Sequence, residues 1–157
     1  DDQGRQFDKD GNLKDWWTRE DGEKFNARAK VLSDYFDNIE VAPNVKANGK
    51  FTLGENIADH GGLQVSYHAL QNVLKTSPLA TRDGFTPEQR FFLAYANVWA
   101  GNIRPEEILK RTKSDPHSLG KWRVNGALPH IQAWYDAFNV KQTNKIYLAP
   151  ELRASIW

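Results

Sequence analysis

The chain has 157 residues, 39% of them hydrophobic, and its 21 basic and 20 acidic side chains give a formal net charge of +1. This composition is typical of one globular domain, and the near-neutral charge gives no indication of a nucleic-acid or anionic-membrane partner. The absence of cysteine excludes disulfides and thiolate metal sites, and no apolar run reaches the roughly 18 residues that a membrane span needs.

Apolar spacing and capping motifs predict a mainly α chain of about five helices. The first helix follows from apolar residues at alternating spacings of four and three, and two others follow from the capping boxes Thr52-Leu53-Gly54-Glu55 and Thr86-Pro87-Glu88-Gln89. Proline, glycine and asparagine mark the segments between helices as loops. In chain order we predict a loop over 1–20, a helix over 22–39, a loop over 41–51, a helix over 52–75, a loop over 81–85, a helix over 86–101, a short helix over 105–109, a loop over 114–127, a helix over 129–138 and a short strand over 145–148.

The stretch GENIADHGG (54–62) places Glu55 and Asp59 one turn apart on the same face of the second helix. A glutamate in the first turn of a helix is ordinary, because it caps the helix and interacts favourably with the helix dipole. The alternative is a catalytic zinc site, which takes three protein ligands from histidine nitrogens and carboxylate oxygens and often has a second acid orienting a histidine ligand. The chain has no His-Glu-x-x-His helix, so a site on Glu55 needs at least two nitrogens from elsewhere. Its histidines are His60, His68, His117 and His130.

Four segments, in the same order along the chain, resemble the neprilysin and endothelin-converting-enzyme family of zinc metallopeptidases. They are DDQGRQFDKDGNLKDWW (1–17), GENIADHGG (54–62), FFLAYANVWAGNIRPE (91–106) and SDPHSLGKWRVNGAL (114–128). In that family the two zinc-binding histidines and the general-base glutamate lie on a helix just before the first of these segments. The resemblance therefore implies that residues 1–157 are a C-terminal fragment of a catalytic domain, with the mainly α fold of the C-terminal helical part of a thermolysin-like (gluzincin) metallopeptidase.

The resemblance also implies roles for the acids and for one histidine. Glu55 is the third zinc ligand, and Asp59 orients one of the two histidine ligands that this chain lacks. His117, steadied by Asp115, donates a hydrogen bond to the oxyanion that forms as water attacks the peptide carbonyl. From the residues alone, His117 is a loop histidine with a structural role, and His60 is expected to be structural.

Arg123, Val98 and Trp99 match substrate-binding positions of the family. Arg123 resembles the arginine that binds a backbone carbonyl of the substrate, a task for which a planar guanidinium is suited. Its alternative role is a surface salt bridge, which contributes little to stability. Val98 and Trp99 resemble residues that line the pocket for the side chain following the cleaved bond, and core packing is the alternative and compatible role.

The function implied by the resemblance is zinc-assisted hydrolysis of oligopeptides before large hydrophobic residues. With one zinc ligand, this chain alone is expected to be inactive and to hold zinc weakly, and it needs the N-terminal part of the same enzyme as a partner. The absence of cysteine suggests a bacterial member, and an exported, periplasmic or cell-surface location is favoured. Two other hypotheses are a non-catalytic helical binding module on the same scaffold and a plain helical structural domain; a His-Glu-x-x-His sequence upstream would distinguish the enzyme from the binding module.

Overall fold

In the computed structural model, which describes residues 2–156, helices dominate and one small sheet is present. The mainly α fold class predicted from the sequence is confirmed. No helix in this described range is long and apolar enough to cross a membrane. The elements are α1 (Arg19–Asp37), β1 (Glu40–Ala42), β2 (Val45–Lys46), α2 (Leu53–Thr76), α3 (Pro87–Val98), α4 (Pro105–Ser114), α5 (Gly120–Asn125) and α6 (Gln132–Phe138), with 3-10 segments at Gly4–Gln6, Leu128–His130 and Pro150–Leu152.

The described residues form two compact units, and helix α2 contributes to both. Unit 1 contains residues 2–58, 104–118 and 154–156, and unit 2 contains residues 59–103 and 119–153. The first turns of α2, up to residue 58, therefore belong to unit 1, and the rest of the helix belongs to unit 2.

Unit 1 is organised by helix α1, whose apolar face follows the predicted spacing. The helix begins at Arg19, a few residues earlier than predicted, because the Thr18 hydroxyl caps it by accepting a hydrogen bond from the Asp21 N–H. Burying apolar side chains on one face stabilises the unit by removing them from water. The buried positions are Phe25, Ala29, Leu32 and Phe36.

The segment predicted as a loop over 41–51 contains a short antiparallel hairpin, formed by β1 and β2. Asn44 turns the chain with a positive φ of 60°, a conformation that asparagine tolerates better than most residues. After the hairpin, Gly49 donates its N–H to Asp37 Oδ1 at 2.6 Å. A Cβ at Gly49 would collide with the backbone of α1 at Ser33, so only glycine allows this close approach.

Unit 2 is built around an aromatic core between α3 and α6. Helix α3 has the predicted capping box: the Thr86 hydroxyl accepts from the Gln89 N–H, and the Gln89 side chain accepts from the Thr86 N–H. Gln89 Nε2 also donates to the Ala137 carbonyl of α6 at 2.9 Å, which ties the two helices together. The buried side chains of this core are Leu63, Phe92, Ala127, Leu128, Ile131, Trp134 and Tyr135.

Four other predictions from the sequence are wrong. The predicted loop over 114–127 contains helix α5, Pro129 lies in a 3-10 turn before α6 and not in α6 itself, and α4 continues to Ser114. The segment 145–148 is not a strand. The Leu148 N–H does not pair with another strand but donates to the Tyr135 hydroxyl at 3.0 Å.

Two imidazoles are buried inside unit 2. His60 is fully buried, and its ring meets that of His130 edge to face, with the ring centroids 6.3 Å apart. Burial, followed by the charges of His60 and Arg153, lowers the pKa of His130 from 6.5 to about 3. The folded chain therefore holds His130 neutral across most of the acidic range.

Acid is expected to destabilise the fold through His130. Above pH 6.5 neither the folded nor the unfolded state protonates this ring, but between pH 6.5 and 3 only the unfolded state does. As the pH is lowered from 7 to 5, the free energy of unfolding should therefore decrease by on the order of 2 kcal/mol. Urea denaturation of wild type and His130→Gln between pH 7 and 5 measures this contribution.

His68→Gln is the matched control, because His68 is an exposed histidine on α2. His68→Gln should lose stability with acid as the wild type does, whereas His130→Gln should lose about 2 kcal/mol less. An equal loss in all three proteins would contradict the assignment to His130.

Candidate active site

Glu55 lies in the first turn of α2, on the wall of an open cleft in unit 1. The cleft has a volume of about 740 Å³ and is also lined by Phe7, Phe51 and Pro116. The Glu55 side chain is 41% exposed, so its carboxylate remains accessible from the cleft. Such an oxygen donor fits a zinc ligand. Within residues 2–156 no three His, Cys, Asp or Glu side chains are grouped to hold a metal, so the fit is that of one ligand and not of a whole site.

His117 lies beside Glu55, in the loop that follows α4. Its Nε2 is 3.2 Å from Glu55 Oε2, and its Nδ1 is 2.7 Å from Asp115 Oδ1. An ionised carboxylate can only accept, so Nδ1 carries the hydrogen in the contact with Asp115. That contact fixes the ring orientation and directs Nε2 toward Glu55.

Hydrogen bonds made by Asp115 fix the position of the loop that carries His117. Asp115 ends helix α4 as its C-cap, with its N–H donating to the Arg111 carbonyl. Its Oδ1 also accepts the backbone N–H of His117 at 3.0 Å. That backbone hydrogen bond, followed by the one to the His117 ring, lowers the pKa of Asp115 below its ordinary value, so the carboxylate is ionised at neutral pH.

Asp59 and Arg123 form a bidentate ion pair in unit 2. Arg123 Nε donates to Asp59 Oδ2 and Nη2 donates to Oδ1, both at 2.7 Å. The two side chains are only 13% and 10% exposed, so this pair is nearly removed from water. The arginine predicted to bind substrate therefore shares a contact with the aspartate predicted to orient a zinc ligand. Each carboxylate oxygen has two lone pairs, so the pairing leaves Asp59 with acceptor capacity for an imidazole N–H.

Tyr95 of α3 and Trp99, directly after the helix, both contact Arg123. The guanidinium carbon lies 3.7 Å from the centre of the Trp99 ring, a close cation–π contact. The Tyr95 hydroxyl donates to the Arg123 carbonyl at 3.0 Å, and burial, followed by the charge of Asp59, raises the pKa of Tyr95, so the phenol stays protonated. A Cβ at Gly120 would lie 2.8 Å from the Trp99 carbonyl oxygen, so glycine is needed where α5 begins against the end of α3.

The remaining site candidates lie in unit 2. Val98 is 69% exposed at the end of α3, and Trp99 is half-buried and lies against the Arg123 guanidinium. His60 and His130 lie in the core, which agrees with the structural role predicted for His60. His68 is exposed on α2.

Two polar residues to which the sequence analysis assigned no role contact the candidate site residues. Asn56, next to Glu55, is buried and hydrogen-bonded to Ser118, and Tyr95 anchors Arg123. The role of Tyr95 could not be predicted because the residue lies in an aromatic stretch whose pattern indicates core packing. The role of Asn56 could not be predicted because its partner, Ser118, is 62 positions away in the sequence. The only sequence signal was an asparagine inside a helix, where this residue type is mildly unfavourable.

The chain is similar to known proteins over its whole length. The family model described as Peptidase family M13 matches residues 1–154. Human neprilysin is 37% identical over 162 aligned residues, covering 100% of this chain. The endothelin-converting enzyme homolog of Locusta migratoria is 38% identical, again over 100% of this chain. The crystal structure of Mycobacterium tuberculosis zinc metalloprotease Zmp1 in complex with an inhibitor superposes with a TM-score of 0.93 at 38% identity, covering 100% of this chain and 25% of that one.

The chain spans about a fifth of the length of these curated relatives, 21% of human neprilysin and 22% of the locust protein. The superposition agrees with the helical part of a thermolysin-like peptidase that the resemblance implied. Because the family model matches nearly the whole sequence, the chain belongs to peptidase family M13.

Proposed function

We propose that residues 1–157 are a C-terminal portion of the catalytic domain of a zinc metalloendopeptidase that hydrolyses oligopeptides. Membership of peptidase family M13 supports the reaction class, and the relatives of this chain include neprilysin and a zinc metalloprotease. We refer to the whole protein to which this chain would contribute as the full-length enzyme. An exported, periplasmic or cell-surface location is part of the proposal.

Glu55 is the residue of this chain that would hold zinc. Its carboxylate is accessible from the cleft and the chain offers no complete ligand set within its described part, so the other ligands would come from the N-terminal part of the enzyme. When bound, zinc supplies Lewis-acid polarisation of the peptide carbonyl and lowers the pKa of a water molecule. The chain alone would therefore be inactive.

The observation that carries the proposal is the placement of His117 between two carboxylates. Asp115 holds Nδ1 at 2.7 Å, and Nε2 points to the cleft acid Glu55 at 3.2 Å. With Nδ1–H committed to Asp115, the ring can donate from Nε2 only in its imidazolium form; in that form it can hydrogen-bond the oxygen of a substrate carbonyl as that oxygen becomes negative. Because the donor is already oriented, it stabilises the transition state without first paying to reorganise.

Arg123 would bind a backbone carbonyl of the peptide, and Asp59 would hold the guanidinium in the required plane. The two hydrogen bonds from the guanidinium to Asp59, both at 2.7 Å, support this positioning role. Asp59 would in addition accept a hydrogen bond from a histidine ligand of the zinc. Val98 and Trp99 would line the pocket for the following side chain, and their apolar surfaces favour a large hydrophobic residue there.

Glu55→Gln should remove zinc and cleavage together. Losing only an outer partner of a metal ligand already costs 10–100-fold in affinity or activity, so losing the ligand itself should lower both by at least about 100-fold. Zinc content and hydrolysis of an internally quenched peptide by the full-length enzyme measure the two quantities. Glu88→Gln, on α3, is the matched control and should leave both unchanged.

The isolated chain is the second control for the same prediction. With Glu55 as its one ligand it should retain no stoichiometric zinc after gel filtration. Tight zinc binding by the isolated chain, or a zinc-replete and active Glu55→Gln enzyme, would contradict the assignment.

His117→Phe should lower kcat and leave KM nearly unchanged. The ring would still fill the loop, but no N–H would stabilise the oxyanion, and losing one such donor costs about 10²–10³-fold in kcat. Steady-state kinetics of the zinc-loaded enzyme give both constants. A wild-type kcat in this variant would rule out oxyanion stabilisation by His117.

Arg123→Lys should act mainly on KM. Lysine cannot reproduce the bidentate contact with Asp59 or the stacking on Trp99, so the cation would no longer be fixed in place. We expect KM for a peptide substrate to rise about tenfold with zinc content unchanged. Lys121→Arg, an adjacent reversed exchange, is the control, and an unchanged KM in Arg123→Lys would rule out substrate binding by Arg123.

A further inference from the structure

A chain of side-chain hydrogen bonds joins the start of α2 to the loop that carries His117. The Ser118 hydroxyl donates to Asn56 Oδ1 at 2.8 Å, and Asn56 Nδ2 donates to the Thr52 hydroxyl at 3.0 Å. The Thr52 hydroxyl in turn donates to the Asn48 carbonyl at 3.0 Å. All four residues belong to unit 1.

The direction of each hydrogen bond in this chain is fixed. The single hydroxyl hydrogen of Thr52 is used on the Asn48 carbonyl, so Thr52 must accept from Asn56. The amide of Asn56 therefore presents its NH2 group to Thr52 and its oxygen to Ser118. Asn56 is only 3% exposed and Thr52 is also buried, so water cannot easily replace either partner.

The hydrogen bond between Asn56 and Ser118, called the anchor below, joins the two residues that immediately follow Glu55 and His117. Asn56 follows Glu55 and Ser118 follows His117, so the Asn56–Ser118 bond runs beside the contact between the His117 ring and Glu55. On its other side the His117 loop is held by Asp115. Without Asn56, the exposed contact of the His117 ring with Glu55 would be the one side-chain hydrogen bond or ion pair described in the structure that joins this loop to α2.

We propose that Asn56 and Ser118 are positioning residues that hold His117 at the distance from Glu55 needed for oxyanion stabilisation. The proposal rests on the function proposed above for His117. Neither side chain touches the reacting groups; both act by keeping the loop at a fixed place on α2. Displacement of a catalytic group by about 1 Å can cost up to about 100-fold in rate, so loss of the anchor should be visible in turnover.

The test uses the zinc-loaded, full-length enzyme with Asn56→Leu and Ser118→Ala. Expressed per bound zinc, kcat should fall about 10–100-fold in Asn56→Leu and less in Ser118→Ala, while KM stays within about twofold. The inhibition constant of a phosphonamidate peptide, a tetrahedral anion that mimics the transition state, should rise by a similar factor. Ser118→Thr keeps the hydroxyl and should restore kcat.

Matched controls are an exposed asparagine and an exposed serine whose bonds are local. Asn72 accepts from Lys75 on α2, and Ser114 donates back to Lys110 within α4, so Asn72→Leu and Ser114→Ala should behave as wild type. If Asn56→Leu fails to fold, Ser118→Ala with Ser118→Thr still decides the question. Wild-type kcat and inhibition constant in Ser118→Ala would overturn the proposal.

A double-mutant cycle separates this inference from the function on which it rests. If Asn56 acts through His117, adding Asn56→Leu to His117→Phe should change kcat by less than about twofold. A full additional loss would show that Asn56 does not act through His117. If His117→Phe alone keeps wild-type kcat, the proposed function of His117 fails, whatever the Asn56 variants do.

Discussion

The candidate site depends on one imidazole whose two nitrogens both face carboxylates. The His117 side chain is 44% exposed, so its contacts with Asp115 and Glu55 are screened by water and contribute little to the free energy of folding. Their effect is on orientation: a loop histidine free to change rotamer would direct Nε2 toward the cleft for only part of the time. Asp115 removes this freedom with two hydrogen bonds, one to the backbone and one to the ring. In the function proposed above, the donor would therefore be oriented before substrate binds, which is the condition for efficient electrostatic stabilisation.

The ion pair in unit 2 follows a different physical logic. Asp59 and Arg123 are nearly buried, so their charges interact in a medium that screens them weakly, and removing either partner would leave an uncompensated charge, at a cost of about 3–5 kcal/mol. Trp99 and Tyr95 add a stacking surface and a backbone anchor. Such a cluster holds a guanidinium plane in one orientation, which suits recognition of a fixed peptide group better than attraction of a charged ligand.

Local sequence signals predicted the elements that depend on local interactions. Helix α1 follows from its apolar spacing, and α3 follows from a capping box that the structure contains. Helix α5 could not be predicted because it has no side-chain cap; it begins at Gly120 against the Trp99 carbonyl, a contact between distant parts of the chain. The apolar run near residue 147 resembled a strand, but the Leu148 N–H binds the Tyr135 hydroxyl. Likewise, motif resemblance named Glu55, Asp59, His117 and Arg123, but not the pairing of Asp59 with Arg123.

The neighbours of the candidate residues show how one short stretch can serve two purposes. Successive side chains on a helix point about 100° apart, so Glu55 can face the cleft while Asn56 faces inward. The same division occurs in the loop, where His117 is exposed and Ser118 reaches Asn56. A polar amide inside a helix is tolerated there because its two partners lie on different segments, Thr52 before α2 and Ser118 after α4. An apolar residue at position 56 could fill the space, but it could not make the directional hydrogen bond to Ser118. The direction and length of that hydrogen bond are what would fix the position of His117 relative to Glu55.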